Sequence, residues 1–285
     1  MGFFEEVTAF EEKHTFRDLS IHGRIFHYCL CGQQNRPYTL VYLVGGTGNP
    51  LGWFKHVEAM EGTHSVLVLN YPLGIDQMEP MADLIGELIE ALGIRKAVWI
   101  GASLGGYFAQ LMASRFPHRT QAMVLYATTA LTAQGIEDLK KQYHHVGKLL
   151  WLMEHLPYGL LKWAMKPSLN RMIPRDDPEQ AGYLKEFVRW IYDSYERDMD
   201  LHMTRMMADM VNVHPLTQEN FTFLSGRILL ILPEEDKAFT PEMQQGLISL
   251  LPGARLERSS GGHLDTLLKA EQFADLTKDF LSSLN

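Results

Sequence analysis

Residues 97–112 read Ala97-Val98-Trp99-Ile100-Gly101-Ala102-Ser103-Leu104-Gly105-Gly106-Tyr107-Phe108-Ala109-Gln110-Leu111-Met112, and this stretch decides the fold. Val98-Trp99-Ile100 is a short apolar run, as expected of a strand covered on both faces. Tyr107, Phe108, Leu111 and Met112 recur at helical spacing, and Pro117 ends that helix. Between them, Gly101-Ala102-Ser103-Leu104-Gly105 matches G-x-S-x-G. A strand that turns straight into a helix puts its turn residue in strained backbone. Glycines two before and two after Ser103 allow the close approach such a turn needs. The Ser103 hydroxyl then stands clear of the sheet edge, above a helix N-terminus whose free N–H groups and positive dipole end favour a developing negative charge.

The same alternation extends in both directions. Residues 18–30 predict a hairpin turning near His22-Gly23. Thr39 to Val44, Val66 to Leu69, Ala97 to Ile100, Ala122 to Ala127, Arg227 to Leu232 and Ala254 to Arg258 each read as buried strands. Met81 to Leu92 and Glu271 to Leu284 read as amphipathic helices, the first closed by Gly93. Strands separated by helices predict an α/β fold, a parallel sheet with helices on both faces. Residues 132–226 differ in texture. They show no strand pattern and are rich in large side chains: Trp151, Met153, Trp163, Met165, Trp190, Tyr192 and Tyr195. Met199, Met203, Met206, Met207 and Met210 share one helical face. We read this segment as a helical insertion, the cap, in a core made of residues 1–131 and 227–285. Its Met and Trp content suggests an apolar pocket.

Three strand ends carry the candidate chemistry. Ser103 is the expected nucleophile. Pro233-Glu234-Glu235-Asp236 follows the Arg227 to Leu232 strand, so an acid there lies on the same sheet edge as Ser103. Asp236 is the expected acid, with Glu235 in reserve. Gly261-Gly262-His263 follows the next strand, and His263 is the expected base. An imidazole titrates near neutrality and so takes and returns a proton, while the acid fixes its tautomer. An oxyanion hole needs two N–H donors. The Leu104 N–H is one; the Gly45-Gly46-Thr47-Gly48 loop supplies the other, from Gly46 first and Thr47 second. The other histidines are expected to be bystanders, with His144, His145 and His155 on the surface or along the pocket.

Composition narrows the function classes. The 285 residues are 46% hydrophobic and 21% charged, with a net charge of −8. An acidic chain of this kind argues against nucleic acid or an anionic membrane as the main partner, and no stretch reaches the length of about 20 apolar residues that spans a bilayer. The early acids after Met1 do not fit a secretory signal, and Glu6 breaks the myristoylation pattern; the expected location is cytoplasmic. Cys29 and Cys31 point the same way from one strand. A disulfide between them is geometrically poor, and two ligands are too few for a structural zinc site. They read as small apolar strand residues, and no cofactor or metal is expected. The expected partner is a small-molecule substrate; the oligomeric state is left open.

On these residues the chain resembles the α/β-hydrolase fold family over nearly its whole length outside the insertion. Cys29-Leu30-Cys31-Gly32 resembles the end of the family's early hairpin, Gly101 to Gly106 the nucleophile elbow, Leu229 to Asp236 the acid strand and loop, and Pro252 to Leu256 with Gly261-Gly262-His263 the strand and loop that carry the histidine. The resemblance implies an eight-stranded, mostly parallel sheet with a helical cap inserted after the sixth strand. Val44-Gly45 stands where the family usually has His-Gly, and Asn70-Tyr71-Pro72 where it often has an Asp. The elbow with Ala109-Gln110, together with Tyr71-Pro72, is similar to the maspardin branch, which includes members thought to bind rather than hydrolyse. A full Ser103, Asp236 and His263 set implies a serine hydrolase that cleaves a carboxylic ester, thioester or lactone through an acyl-enzyme. Dehalogenases and epoxide hydrolases of the fold use Asp as nucleophile, so Ser103 argues against both. The alternatives are a non-catalytic ligand-binding or adaptor protein, or an acyltransferase, lyase or perhydrolase with the same triad.

Overall fold

The apolar runs pair into one sheet. A computed structural model describes residues 2–170, 178–194 and 196–284. Its strands are β1 (Arg17–Ile21), β2 (Arg24–Gly32), β3 (Thr39–Leu43), β4 (Ser65–Leu69), β5 (Ala97–Ala102), β6 (Thr120–Tyr126), β7 (Ile228–Pro233) and β8 (Arg255–Ser259). They lie in the order β1-β2-β4-β3-β5-β6-β7-β8. Both pairings of β2, with β1 and with β4, are antiparallel, and every other pair is parallel. The hairpin turns where predicted: His22 and Gly23 both have positive φ, as a two-residue turn matched to strand twist requires. β3, β4 and β7 are buried at every position. β8 departs from the expectation of a buried strand: its burial alternates, because it is the sheet's last strand and only one face meets the core.

The helices are α1 (Phe3–Lys13), α2 (Phe54–Glu61), α3 (Met78–Ala91), α4 (Leu104–Arg115), α5 (Ala133–Gln142), α6 (Val146–His155), α7 (Tyr158–Asn170), α8 (Pro178–Ser194), α9 (Arg197–Asp209), α10 (Pro241–Leu250), α11 (Asp265–Leu268) and α12 (Ala270–Ser282). α5 to α9 fall between β6 and β7, and no strand interrupts them among the described residues. Trp151 and Trp163 are 55% and 70% exposed, so these two do not line a pocket as the composition suggested. Tyr195 and the side chain of Met165 lie outside the described residues. α1 was not anticipated. Phe3, Val7 and Phe10, at one helical face, bury it completely along that face.

α2 packs on the sheet through an aromatic cluster. Its His56 ring lies against Tyr42, Trp53 and Tyr126, at centroid distances of 5.9, 4.9 and 5.6 Å. Its Nε2 is 2.7 Å from the carbonyl of Thr266. Burial disfavours the charged ring and lowers its pKa to about 4, against an upward pull from the Thr266 bond. Folding therefore requires neutral His56. The unfolded chain takes up this proton near pH 6.5 and the folded chain only near pH 4, so this contribution is fully present above pH 6.5 and is lost as pH falls toward 4. It is worth about 3 kcal/mol. Urea unfolding of wild type and His56→Gln across that window should show the wild type losing the larger share of its stability; parallel curves would contradict this. A second prediction concerns the turn after β5. A Cβ on Gly105 would fall on the Leu43 carbonyl oxygen, far inside van der Waals contact. Gly105→Ala should lower stability by about 1–3 kcal/mol or more, read from the denaturant midpoint, and an unchanged midpoint would refute it.

Candidate active site

Ser103 caps α4 at the end of β5 with φ 53° and ψ −123°, backbone that L residues avoid. The surrounding structure over-determines it. The Ser103 N–H donates to the carbonyls of Tyr126 and Ala127 at 3.2 and 3.1 Å. Its own carbonyl accepts from Gly106 N–H and from Thr128 Oγ1, both at 2.9 Å. A Cβ on Gly101 would overlap the Gly105 carbonyl, and one on Gly106 would come within 2.6 Å of the Thr128 side chain. The glycines at 101, 105 and 106 are therefore space requirements of the turn rather than sources of flexibility.

The expected acid and base, Asp236 and His263, lie in the loops after β7 and β8. Glu235 N–H donates to the Gly261 carbonyl at 2.8 Å, which joins the two loops. The Asp236 side chain is fully buried. Its Oδ1 accepts from the N–H groups of Ala238 and Phe239 at 2.7 and 3.3 Å, and its Oδ2 lies 2.9 Å from His263 Nδ1. Glu235, the reserve acid, is exposed. With Asp236 on Nδ1, the Nε2 edge of His263 is the one left for the cavity. Ser103 and His263 line one cavity of about 270 Å³. Among the described residues no hydrogen bond joins Ser103 Oγ to His263; such bonds are often long without substrate and tighten in the complex.

Of the expected N–H donors, those on the glycine loop border the same space. Gly46, Thr47 and Ser103 line the cavity, and the N–H groups of Gly46 and Leu104 have no backbone acceptor among the described residues. Leu104 opens α4, so its N–H is one of the helix's unpaired donors. Methionines from α9 cover the glycine loop: a Cβ on Gly46 would meet Met207 Sδ at 3.5 Å, and one on Gly48 would meet Met203 Sδ at 2.9 Å. The remaining wall is mostly apolar, formed by Trp53, Phe187, Trp190, Ile191, Leu264 and Leu267, with Asn49 and Thr266 as its polar members. Among the described residues no Lys, Arg, Asp or Glu lines it.

Several supporting residues were not foreseen. His56 holds the Thr266 carbonyl, three residues beyond His263. Asp265 accepts from Ser259 Oγ and, at 2.8 Å, from Lys269 Nζ, which stitches the histidine loop together. Tyr71 donates to the Val44 carbonyl at 2.9 Å, and Trp53 Nε1 to that of Leu43 at 3.1 Å; both brace the strand that leads into the glycine loop. His56 and Tyr71 carry no local sequence signal, because their partners are distant in the chain; the Asp265 contacts are local, to residues six and four positions away. His144, His145 and His155 are exposed, on the surface as expected.

Comparison with known proteins agrees with the fold. The enol-lactonase of Burkholderia xenovorans LB400 superposes with a TM-score of 0.72 at 19% identity, over 93% of this chain and all of that one. A thermophilic esterase of Thermogutta terrifontis gives 0.70 at 19% identity, over 95% and 99%. At this identity the likeness is one of fold. The protein of Pantoea ananatis named carbamate hydrolase RutD is 32% identical over 109 residues, 35% of this chain and 40% of its own length, so the match spans under half of that relative. The model of the alpha/beta hydrolase fold family matches residues 38–270, and the chain belongs to that family.

Proposed function

We propose that the protein is a serine hydrolase acting on a small, apolar carboxylic ester or on a related thioester or lactone. The observation that carries this reading is the His263–Asp236 pair, 2.9 Å apart with the carboxylate buried, facing the cavity that Ser103 enters from its strained turn. Ser103 Oγ attacks the substrate carbonyl carbon as His263 Nε2 takes its proton. The carbonyl oxygen becomes an oxyanion held by the N–H groups of Leu104 and Gly46, with Thr47 the other donor on that loop. Collapse of this intermediate breaks the bond to the leaving group, which receives the proton from His263. Water, deprotonated by the same ring, then releases the acyl group from Ser103. Asp236 stays ionised, keeps the proton on Nδ1 and stabilises the imidazolium.

The cavity wall supports the substrate class. A largely apolar lining with no Lys or Arg among the described residues offers no cationic partner for a substrate carboxylate, whose burial without one is costly. The helices between β6 and β7 supply Phe187, Trp190 and Ile191 to that wall, which supports reading residues 132–226 as a cap that sets specificity.

A fluorophosphonate probe should label the wild type and not Ser103→Ala; a folded wild type that resists labelling would favour the non-catalytic binding protein. Asp236→Asn should fold and lose about four orders of magnitude in kcat; near-wild-type turnover would remove Asp236 from the mechanism. Across p-nitrophenyl esters, short neutral acyl chains should exceed dicarboxylic half-esters in kcat/KM by at least tenfold, and the reverse order would overturn the apolar substrate class.

A further inference from the structure

Away from the cavity, the end of β2 gathers a second set of reactive side chains. His14, Cys31 and Glu61 bring one ligand atom each within 4.8 Å of one another. They come from three places: the residue after α1, the end of β2 and the last residue of α2. Gly32 explains the meeting. Its φ is +76°, and a Cβ there would run into the carbonyl oxygens of His64 and Glu61, so β2 can end flush against α2 only with glycine. Cys29 leaves the same face of β2 as Cys31, and the two thiols are near enough to interact. Neither is in a disulfide.

We propose that His14, Cys31 and Glu61, with Cys29 as the fourth donor, bind a zinc-class divalent cation. The donor set is the argument: thiolate, imidazole and carboxylate together suit a borderline-soft ion and four-coordinate geometry. The imidazole is already oriented. Its Nδ1 lies 2.9 Å from the Phe10 carbonyl, the outer-shell contact that fixes the tautomer of a metal-bound histidine. Nε2 is then the atom facing Glu61, whose Oε2 is 2.7 Å away. Tetrahedral zinc with bonds of 2.0–2.3 Å sets its ligands about 3.5 Å apart, so Glu61, whose Oε2 is 2.7 Å from His14 Nε2, opens slightly from that ring, and Cys31, half-buried and within 4.8 Å of both, needs at most about 1 Å of movement. Charge also balances. Two thiolates and one carboxylate around a dication leave one negative charge, and Lys13 Nζ stands 2.5 Å from Glu61 Oε1 to meet it. On binding, the two thiol protons leave to solvent. The site would fasten the C-terminal end of α1 to β2 and α2. The other end of that helix puts Phe3 against Phe187 and Trp190, each at 5.3 Å between centroids, behind the cavity wall.

The test is titration of chelator-stripped full-length protein with cobalt(II), then zinc(II), read by absorption. The wild type should bind one equivalent with a thiolate-to-cobalt charge-transfer band that zinc abolishes. Cys31→Ser should lose the band, and His14→Gln should weaken binding at least tenfold, with near-ultraviolet circular dichroism reporting that each is folded. Ser103→Ala and the double variant His144→Ala, His145→Ala should bind as the wild type does. A wild type without the band, or with binding that persists within twofold in Cys31→Ser and His14→Gln, overturns the proposal.

Discussion

The turn at Ser103 exists because no side chain stands at positions 101, 105 and 106. The elbow is squeezed between the end of β3, the loop after β6 and its own helix, and every direction in which a Cβ would point is filled by backbone or by Thr128. That crowding holds Ser103 at a positive φ that costs about 1–3 kcal/mol and that an isolated chain would abandon. It also starts α4 directly after Ser103, which lines the cavity. The positions of the acid and histidine loops follow from the parallel register of β5, β6, β7 and β8, which brings their C-terminal ends to one edge.

Around that turn the rigid parts are shared between loops. The Glu235–Gly261 backbone bond couples the acid loop to the histidine loop, so Asp236 and His263 keep their distance as a pair. His56, buried and held neutral, ties the histidine loop to α2 from beneath. Asp265 and Lys269 close the same loop on itself. By contrast, the wall made by Phe187, Trp190 and Ile191 rests on α8, which is backed by Phe3 of α1. A fixed sheet edge and an exchangeable wall are what lets one fold serve many functions.

Much of this was legible in the chain. The central strands are unbroken apolar runs because both faces are covered, and that pattern survives without any tertiary knowledge. G-x-S-x-G was readable because its glycines answer a local steric demand. The pairing of Asp236 with His263 was readable from their places after two strands. Features made by distant partners were not. His56 resembles any other histidine until Thr266 arrives beside it. Cys29 and Cys31 looked like strand filler because His14 and Glu61, which complete the cluster, lie on other elements. α1 had a signal, Phe3, Val7 and Phe10 at helical spacing, hidden among acidic residues. Trp151 and Trp163 misled in the other direction: hydrophobic content does not say which face of a helix meets the core.

The central claim is that Ser103 carries the acyl group. Incubating the protein with p-nitrophenyl butyrate, quenching in acid and mapping peptides by mass should place one butyryl group on the peptide containing Ser103 and none on Ser103→Ala. Acyl groups found only on other residues, with hydrolysis undiminished in Ser103→Ala, would contradict the account.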